Sequence, residues 1–217
     1  MAWQGRQPLC YPHEVAWRLP KRLLLPALTP LYRVQASLYS SPVFFSDSTD
    51  NRYNPPEQHT GAFKVFYAAL EDVGAICERA FPKSALEFVV ESQLAALLLW
   101  TLRTTRMLQL VDLGGAALHQ LRIDGQVNTT PHIPYAQAWS HALHSALPDV
   151  DGLLYPVRTL PNVQAIALYD RAIDALHEAD AFSVPLLAWE ESDTGRDLRQ
   201  WAEEELSVGI LPDEAEP

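Results

Sequence analysis

The sequence predicts an α+β domain, and three observations carry that expectation. Short apolar strands and amphipathic helices alternate along the 217 residues without a regular strand–helix–strand repeat. Neither G-x-G-x-x-G nor G-x-x-x-x-G-K-[ST] occurs, which argues against doubly wound and phosphate-loop folds. The longest continuous apolar run, residues 94–100, is seven residues, far short of the roughly 20 that a membrane-spanning helix needs.

Residues 1–30 hold five prolines (Pro8, Pro12, Pro20, Pro26 and Pro30). Proline lacks a backbone donor and disfavours helix before it, so this segment is expected to be an extended arm lying on the domain. Leu31-Tyr32-Arg33-Val34 predicts the first strand of a domain spanning 31–189. Residues 46–61 are dense in Asp, Asn, Ser, Pro and Gly and predict a loop. Loops of that length inside a domain are often functional.

Residues 63–69 predict a strand, and a helix should follow from about Glu71. Val73, Ile76, Cys77, Ala80 and Phe81 recur at helical spacing on one face. Glu71 and Asp72 suit its first turn, and Pro82 stops it. Two strands are expected within 86–113, broken near 103–106. A helical turn is expected at 116–121 and a helix at 135–147. Strands at 152–156 and 163–169 flank a turn at Pro161-Asn162, and 172–179 reads as helical. Residues 190–217 are an acidic tail, with one amphipathic stretch at 198–206.

Composition narrows the function classes. The net charge is −11, unevenly spread: residues 1–33 carry five bases and one acid, and 190–217 carry ten acids and two arginines. An acidic chain is a poor candidate for tracking a phosphate backbone, so direct nucleic-acid binding is not expected. Two cysteines, Cys10 and Cys77, support neither a disulfide framework nor a four-cysteine zinc site. No apolar signal core opens the chain, and the cytoplasm is the expected compartment.

The densest polar constellation runs from Arg33 through Arg52, Tyr53 and Asn54 to Tyr67 and Glu78. A guanidinium pairs bidentately with phosphate oxygens, so two arginines beside strand and loop positions suggest capture of a phosphorylated ligand. Tyrosines nearby can stack on a flat ring. Glu78 falls opposite the helix's apolar stripe, with Gly74 and Ala75 one turn earlier leaving room over the carboxylate. His132, His141 and His144 lie close in sequence but lack companion acids or thiols, and read as surface histidines rather than metal ligands. Cys77 reads as a buried thiol. Asp149 and Asp151 read as turn caps.

Over residues 31–170 the chain resembles the RES domain family, named for an Arg, a Glu and a Ser. The matching pieces are Leu31-Tyr32-Arg33-Val34, Asn51-Arg52-Tyr53-Asn54, Phe66-Tyr67-Ala68-Ala69, Ala75-Ile76-Cys77-Glu78, the strand at 108–113, the helix opening Tyr135-Ala136-Gln137-Ala138-Trp139, and Asp151-Gly152-Leu153-Leu154-Tyr155-Pro156. The resemblance implies an ADP-ribosyltransferase-like mixed sheet flanked by helices. It also implies a toxin of a bacterial toxin–antitoxin pair that consumes NAD+ by hydrolysis, phosphorolysis or ADP-ribosyl transfer, without a metal. The implied protein partner is an antitoxin with a helix-turn-helix domain. Carried over by position, Arg33 and Glu78 are the family Arg and Glu, and Arg52 and Tyr67 match further pocket residues, with Tyr53 or Tyr67 beside the nicotinamide. The family Ser is replaced by Val157, and Thr159, two residues on, would share its strand face and supply a hydroxyl. Asn51 stands where the family has Gly. The alternative that Val157 raises is a diverged, weakly active or inactive domain that binds NAD+, ADP-ribose or a protein partner.

Overall fold

A computed structural model describes residues 9–82 and 87–213. The first eight residues of the expected arm, residue 86 and the last four of the tail lie outside these. Ten strands and six α-helices follow in chain order. They are β1 (Arg22–Leu25), β2 (Pro30–Ala36), β3 (Val65–Ala69), α1 (Asp72–Ala80), β4 (Phe88–Val90), α2 (Glu91–Ala95), β5 (Leu97–Arg103), β6 (Leu108–Asp112), α3 (Ala117–Leu121), α4 (Gln126–Thr129), α5 (Ile133–Ala146), β7 (Gly152–Pro156), β8 (Gln164–Tyr169), β9 (Phe182–Pro185), α6 (Leu198–Leu206) and β10 (Gly209–Leu211). The α+β class is as the sequence predicts. Among the described residues, no helix is long and apolar enough to cross a membrane.

Eight strands form one mixed sheet in the order β1-β6-β7-β8-β3-β2-β5-β9. The β6–β7 pair is parallel and the rest are antiparallel. The sheet curls. Five peptide steps join Leu25 to Pro30, a reach of at most about 18 Å, whereas strands in the first and sixth places of a flat sheet would be about 24 Å apart. Leu25, Leu31, Leu102 and Leu108, drawn from β1, β2, β5 and β6, accordingly share one buried cluster on the concave side. The opposite face carries the larger core, which includes Ile76 and Cys77 of α1, Trp139 and Leu143 of α5, and Trp201 of α6.

Two segments differ from expectation. The described part of the arm turns at residues 12–15, and its Arg22–Leu25 stretch is an integral edge strand, registered from Arg22↔Val111 to Leu25↔Leu108. Residues beyond 190 are expected to be largely solvated, yet 198–211 are packed. Asp197 caps α6 by accepting from Gln200 N at 2.9 Å. Leu198, Trp201 and Ala202 fall at i, i+3 and i+4 and are buried. β10 then pairs with β4 in a small parallel sheet. The acidity is locally compensated, because Arg196 bridges Glu191, Glu204 and Glu205. The expected helix over 172–179 is instead a 3₁₀ turn at Asp170–Ala175.

The packed extension leans on α1. Trp201 meets Phe81 and Trp189 edge-on or tilted, at ring centroid distances of 6.4 and 5.7 Å. Trp189 Nε1 donates to Asp72 at 2.8 Å. Trp201→Ala is therefore expected to lower unfolding free energy by about 3–5 kcal/mol, read as a lower urea midpoint. A solvated tail would give no change.

Candidate active site

The sheet splits between β2 and β3. Their pairing is confined to Tyr32↔Ala69, although each strand continues towards Ala36 and Val65. The gap opens into a cleft of about 800 Å³, with Arg33 to Ala36 on one wall and Val65 and Tyr67 on the other. That volume suits a small-molecule ligand.

Arg33 sits at the split. Its Nη1 donates to the Tyr67 carbonyl at 3.0 Å, its Nε donates to Gln35 at 3.3 Å, and its guanidinium lies 4.9 Å from the Phe66 ring centre. The side chain thus takes the carbonyl that a paired strand would have used. Among the described residues no carboxylate pairs with it, and burial lowers its pKa to about 10. It remains cationic at neutral pH, and a bound anion would relieve its desolvation.

The 46–61 loop is held in place by buried polar groups. Asn54 Nδ2 donates to the Ser46 and Ser48 carbonyls, both at 2.9 Å, and Gln137 Nε2 donates to those of Thr49 and Asn51. Arg52, carried on this loop, faces the cleft and donates from Nη1 to the Thr130 carbonyl at 2.8 Å. It too has no carboxylate partner among the described residues.

The two tyrosines behave differently. Tyr67 lines the cleft with a half-buried ring. Its hydroxyl accepts from Tyr53 N and donates to Asn54 Oδ1, both at 2.9 Å. Tyr53 is only 1% exposed. Its hydroxyl donates to Asn128 Oδ1 at 2.7 Å, and its ring packs on Tyr155 at 4.8 Å. Tyr53 borders the cleft but presents almost no ring surface for stacking. Asn128, 75 residues away, draws its phenol inward.

Glu78 projects from α1 into the cleft, its surface open to the cavity while protein crowds it on the other sides. Burial raises its carboxyl pKa; a hydrogen bond from Tyr155 and the charges of Arg52 and Arg158 oppose that rise. Gly74 does not leave room over the carboxylate. A Cβ there would lie 2.7 Å from Val163 Cγ1, 3.0 Å from Ala69 Cβ and 3.4 Å from Val157 Cγ2. The missing side chain lets α1 close on the sheet. Ala75 does border the cleft.

β7 ends at Pro156, so Val157 and Thr159 lie in the turn before β8 and not on one strand face. Val157 is 1% exposed. Thr159 is half-buried beside the cleft and near the Cys77 thiol, whose pKa burial raises to about 11. Cys77 is buried, as its helical position predicts.

The cleft therefore gathers Arg33, Arg52, Arg79 and Arg158 against Asp50 and Glu78, a cationic hollow in an acidic protein. Arg158 and Tyr155 escape sequence reasoning. The first looks like a surface charge and the second like strand core.

The histidines lie elsewhere. His132 contacts Tyr11, while His141 stacks on His59 at 4.0 Å. His144 is half-buried against Phe63, and burial lowers its pKa to about 4. Among the described residues no group of three or more His, Cys, Asp or Glu is placed to hold a metal ion. Asp149 pairs with Arg22; Asp151 pairs with Arg106 and also accepts from the Gln109 backbone N at 2.8 Å.

The family model described as "RES domain" matches residues 30–190. The chain belongs to the RES domain family. This RES domain also shares its fold with a chain of the Mycobacterium tuberculosis MbcT–MbcA toxin–antitoxin complex. The TM-score is 0.57 at 17% identity, covering 74% of this chain and 86% of that one. No curated protein matches the sequence. The RES match contains Arg33, Arg52, Tyr67 and Glu78 and stops short of α6 and β10.

Proposed function

We propose that this chain cleaves the bond between nicotinamide and ribose in NAD+ and acts as the toxin of a toxin–antitoxin pair. The observation that carries the reading is the convergence in one cleft of Glu78 with Arg33 and Arg52, neither of which has a salt-bridge partner among the described residues. Family membership supports it, and the fold shared with the toxin–antitoxin complex supports a protein partner. That partner is an antitoxin with a helix-turn-helix domain.

Each residue has a task. Arg33 and Arg52 neutralise the pyrophosphate, and the Tyr67 ring offers a flat apolar surface. The glycosidic C–N bond breaks with its electron pair leaving on nicotinamide, and positive charge grows on the ribose. The Glu78 carboxylate stabilises that charge, as in glycoside cleavage. Water, phosphate or a protein nucleophile then bonds to the anomeric carbon and loses its proton to solvent. The NAD+ is substrate, and no metal enters the scheme.

The test is release of free nicotinamide by the purified, partner-free chain. Its absence overturns the enzymatic reading. Val157, apolar and buried where the family has Ser, favours a second reading in which the cleft binds NAD+ or ADP-ribose without turnover. Calorimetric heat of binding with no nicotinamide released would select it. Under either reading Arg33→Ala is expected to weaken NAD+ binding by tenfold or more, since an ionic hydrogen bond contributes about 1.5–3 kcal/mol. Calorimetry checks this.

A further inference from the structure

Glu78 has one tethered oxygen. Tyr155, at the end of β7, donates its hydroxyl to Glu78 Oε2 at 2.9 Å. Among the described residues, Oε1 has no hydrogen-bond or ion-pair partner. Tyr155 is 5% exposed, although its phenol reaches the cleft wall. The ring is fixed from behind. Tyr53 packs against it at 4.8 Å, the Tyr53 hydroxyl is bound to Asn128, and Asn128 Nδ2 donates to the Leu113 carbonyl at 2.8 Å. Ser140 Oγ donates to the Tyr53 carbonyl at 2.6 Å. A line of contacts thus runs from Leu113, just past β6, and from α5 through two aromatic rings to one carboxylate oxygen.

A carboxylate on a flexible side chain has several rotamers, and only a narrow set would present an oxygen to a reacting sugar. A donor clamped to Oε2 selects among them before ligand arrives, which is the preorganisation that electrostatic catalysis requires. We infer that Tyr155 is the positioning residue for Glu78, holding Oε2 so that Oε1 is presented to the ribose. This rests on the NAD+-cleaving reading for its chemistry, but the tether itself can be read without turnover.

The charged and titratable groups around Glu78 are Arg52 of the loop, Arg158 of the turn after β7, Cys77 and Arg79 on α1, and the phenols of Tyr53, Tyr67 and Tyr155. Tyr155 keeps its proton, because burial raises its pKa well above the ordinary phenol. It therefore donates across the working pH range. Removing the donor leaves the burial of Glu78 less opposed, so its carboxyl should protonate at higher pH.

The experiment compares wild type with Tyr155→Phe, using NAD+ as substrate and following nicotinamide release from pH 4 to 9. The expected result is a kcat fall of about tenfold or more, KM within about twofold, and an acid limb moved up by about one pH unit. Unchanged kcat with an unmoved acid limb overturns the inference, as does a rise in KM alone. A fluorinated tyrosine at position 155 keeps the ring and strengthens the donor, so the limb should move down. That variant carries the test if Tyr155→Phe fails to fold. Carbon-13 NMR of the labelled Glu78 carboxyl, without NAD+, reads the same shift directly. If wild type releases no nicotinamide, the enzymatic reading fails. The tether then stands if the NMR titration shifts in Tyr155→Phe and falls if it does not.

Discussion

Glu78→Gln is expected to lower the rate of nicotinamide release by about 10²–10³-fold, the usual loss when one preorganised electrostatic group is removed. Affinity for NAD+ should stay within about threefold, because the pyrophosphate contacts assigned to Arg33 and Arg52 are untouched. The two quantities are read separately, by steady-state kinetics and by calorimetry. The same substitution should raise stability. Burial pushes the Glu78 carboxyl up, so the folded state disfavours its charge and loses stability as pH rises through that raised pKa. Glutamine has no charge to desolvate, and a higher melting temperature at pH 7 is the expected outcome. Activity carries the opposite sign: the working form is the carboxylate, so wild-type rate should fall as pH drops through the same ionisation. A variant that is less stable and equally active would contradict both parts.

Gly152→Ala is expected to reduce folding free energy by about 3–5 kcal/mol, beyond ordinary overpacking. Gly152 opens β7 and pairs with Leu168 of β8 and Leu110 of β6. A Cβ there would lie 2.3 Å from the Ala167 carbonyl oxygen, 2.8 Å from Leu168 Cα and 3.0 Å from Ala167 C. All three are backbone atoms of an adjacent strand, so no side chain can turn aside, and the strands must part. Because β7 ends in Tyr155 and Pro156, the displacement would run into the cleft. The urea midpoint and the soluble yield check the first effect. A midpoint within experimental error of wild type would show that the strands can separate at little cost.

Residue periodicity made the site's main supports readable. The apolar spacing from Val73 to Phe81 gives α1 within a residue or two, because local pattern and packing agree there. The polar run after Ser46 is a loop, and the Leu31–Val34 and Phe63–Ala69 strands frame it. Two misreadings and one omission have one cause: the deciding partner is distant in sequence. Tyr53 looks like a platform until Asn128 is placed beside its hydroxyl. Tyr155 looks like strand filler until α1 brings Glu78 within 2.9 Å. Gly74 signals a space or a close approach equally well, and only the positions of Val163 and Ala69 decide between them. Short elements were missed for another reason. α2 is five residues and β4, β9 and β10 are three or four, too short for a period to show. The packing of 198–211 is hidden by charge, since ten acids fall within 190–217 and three of them, Glu203 to Glu205, lie exposed on α6, while Leu198, Trp201 and Ala202 hold its inner face.

The split between β2 and β3 has a consequence for how descendants of this protein would change. Arg33 satisfies a main-chain carbonyl at 3.0 Å as well as facing the cleft, so replacing it removes a hydrogen bond to a charged group at a cost of about 1.5–3 kcal/mol. Selection for folding alone would therefore retain this arginine long after any selection for chemistry had lapsed. Glu78 enjoys no such shelter, since losing it removes a carboxylate whose charge the crowding protein disfavours. In a lineage drifting away from activity, the carboxylate should disappear first and the guanidinium last. A relative that keeps the arginine tells only of its sheet, and one that keeps the glutamate tells of its trade.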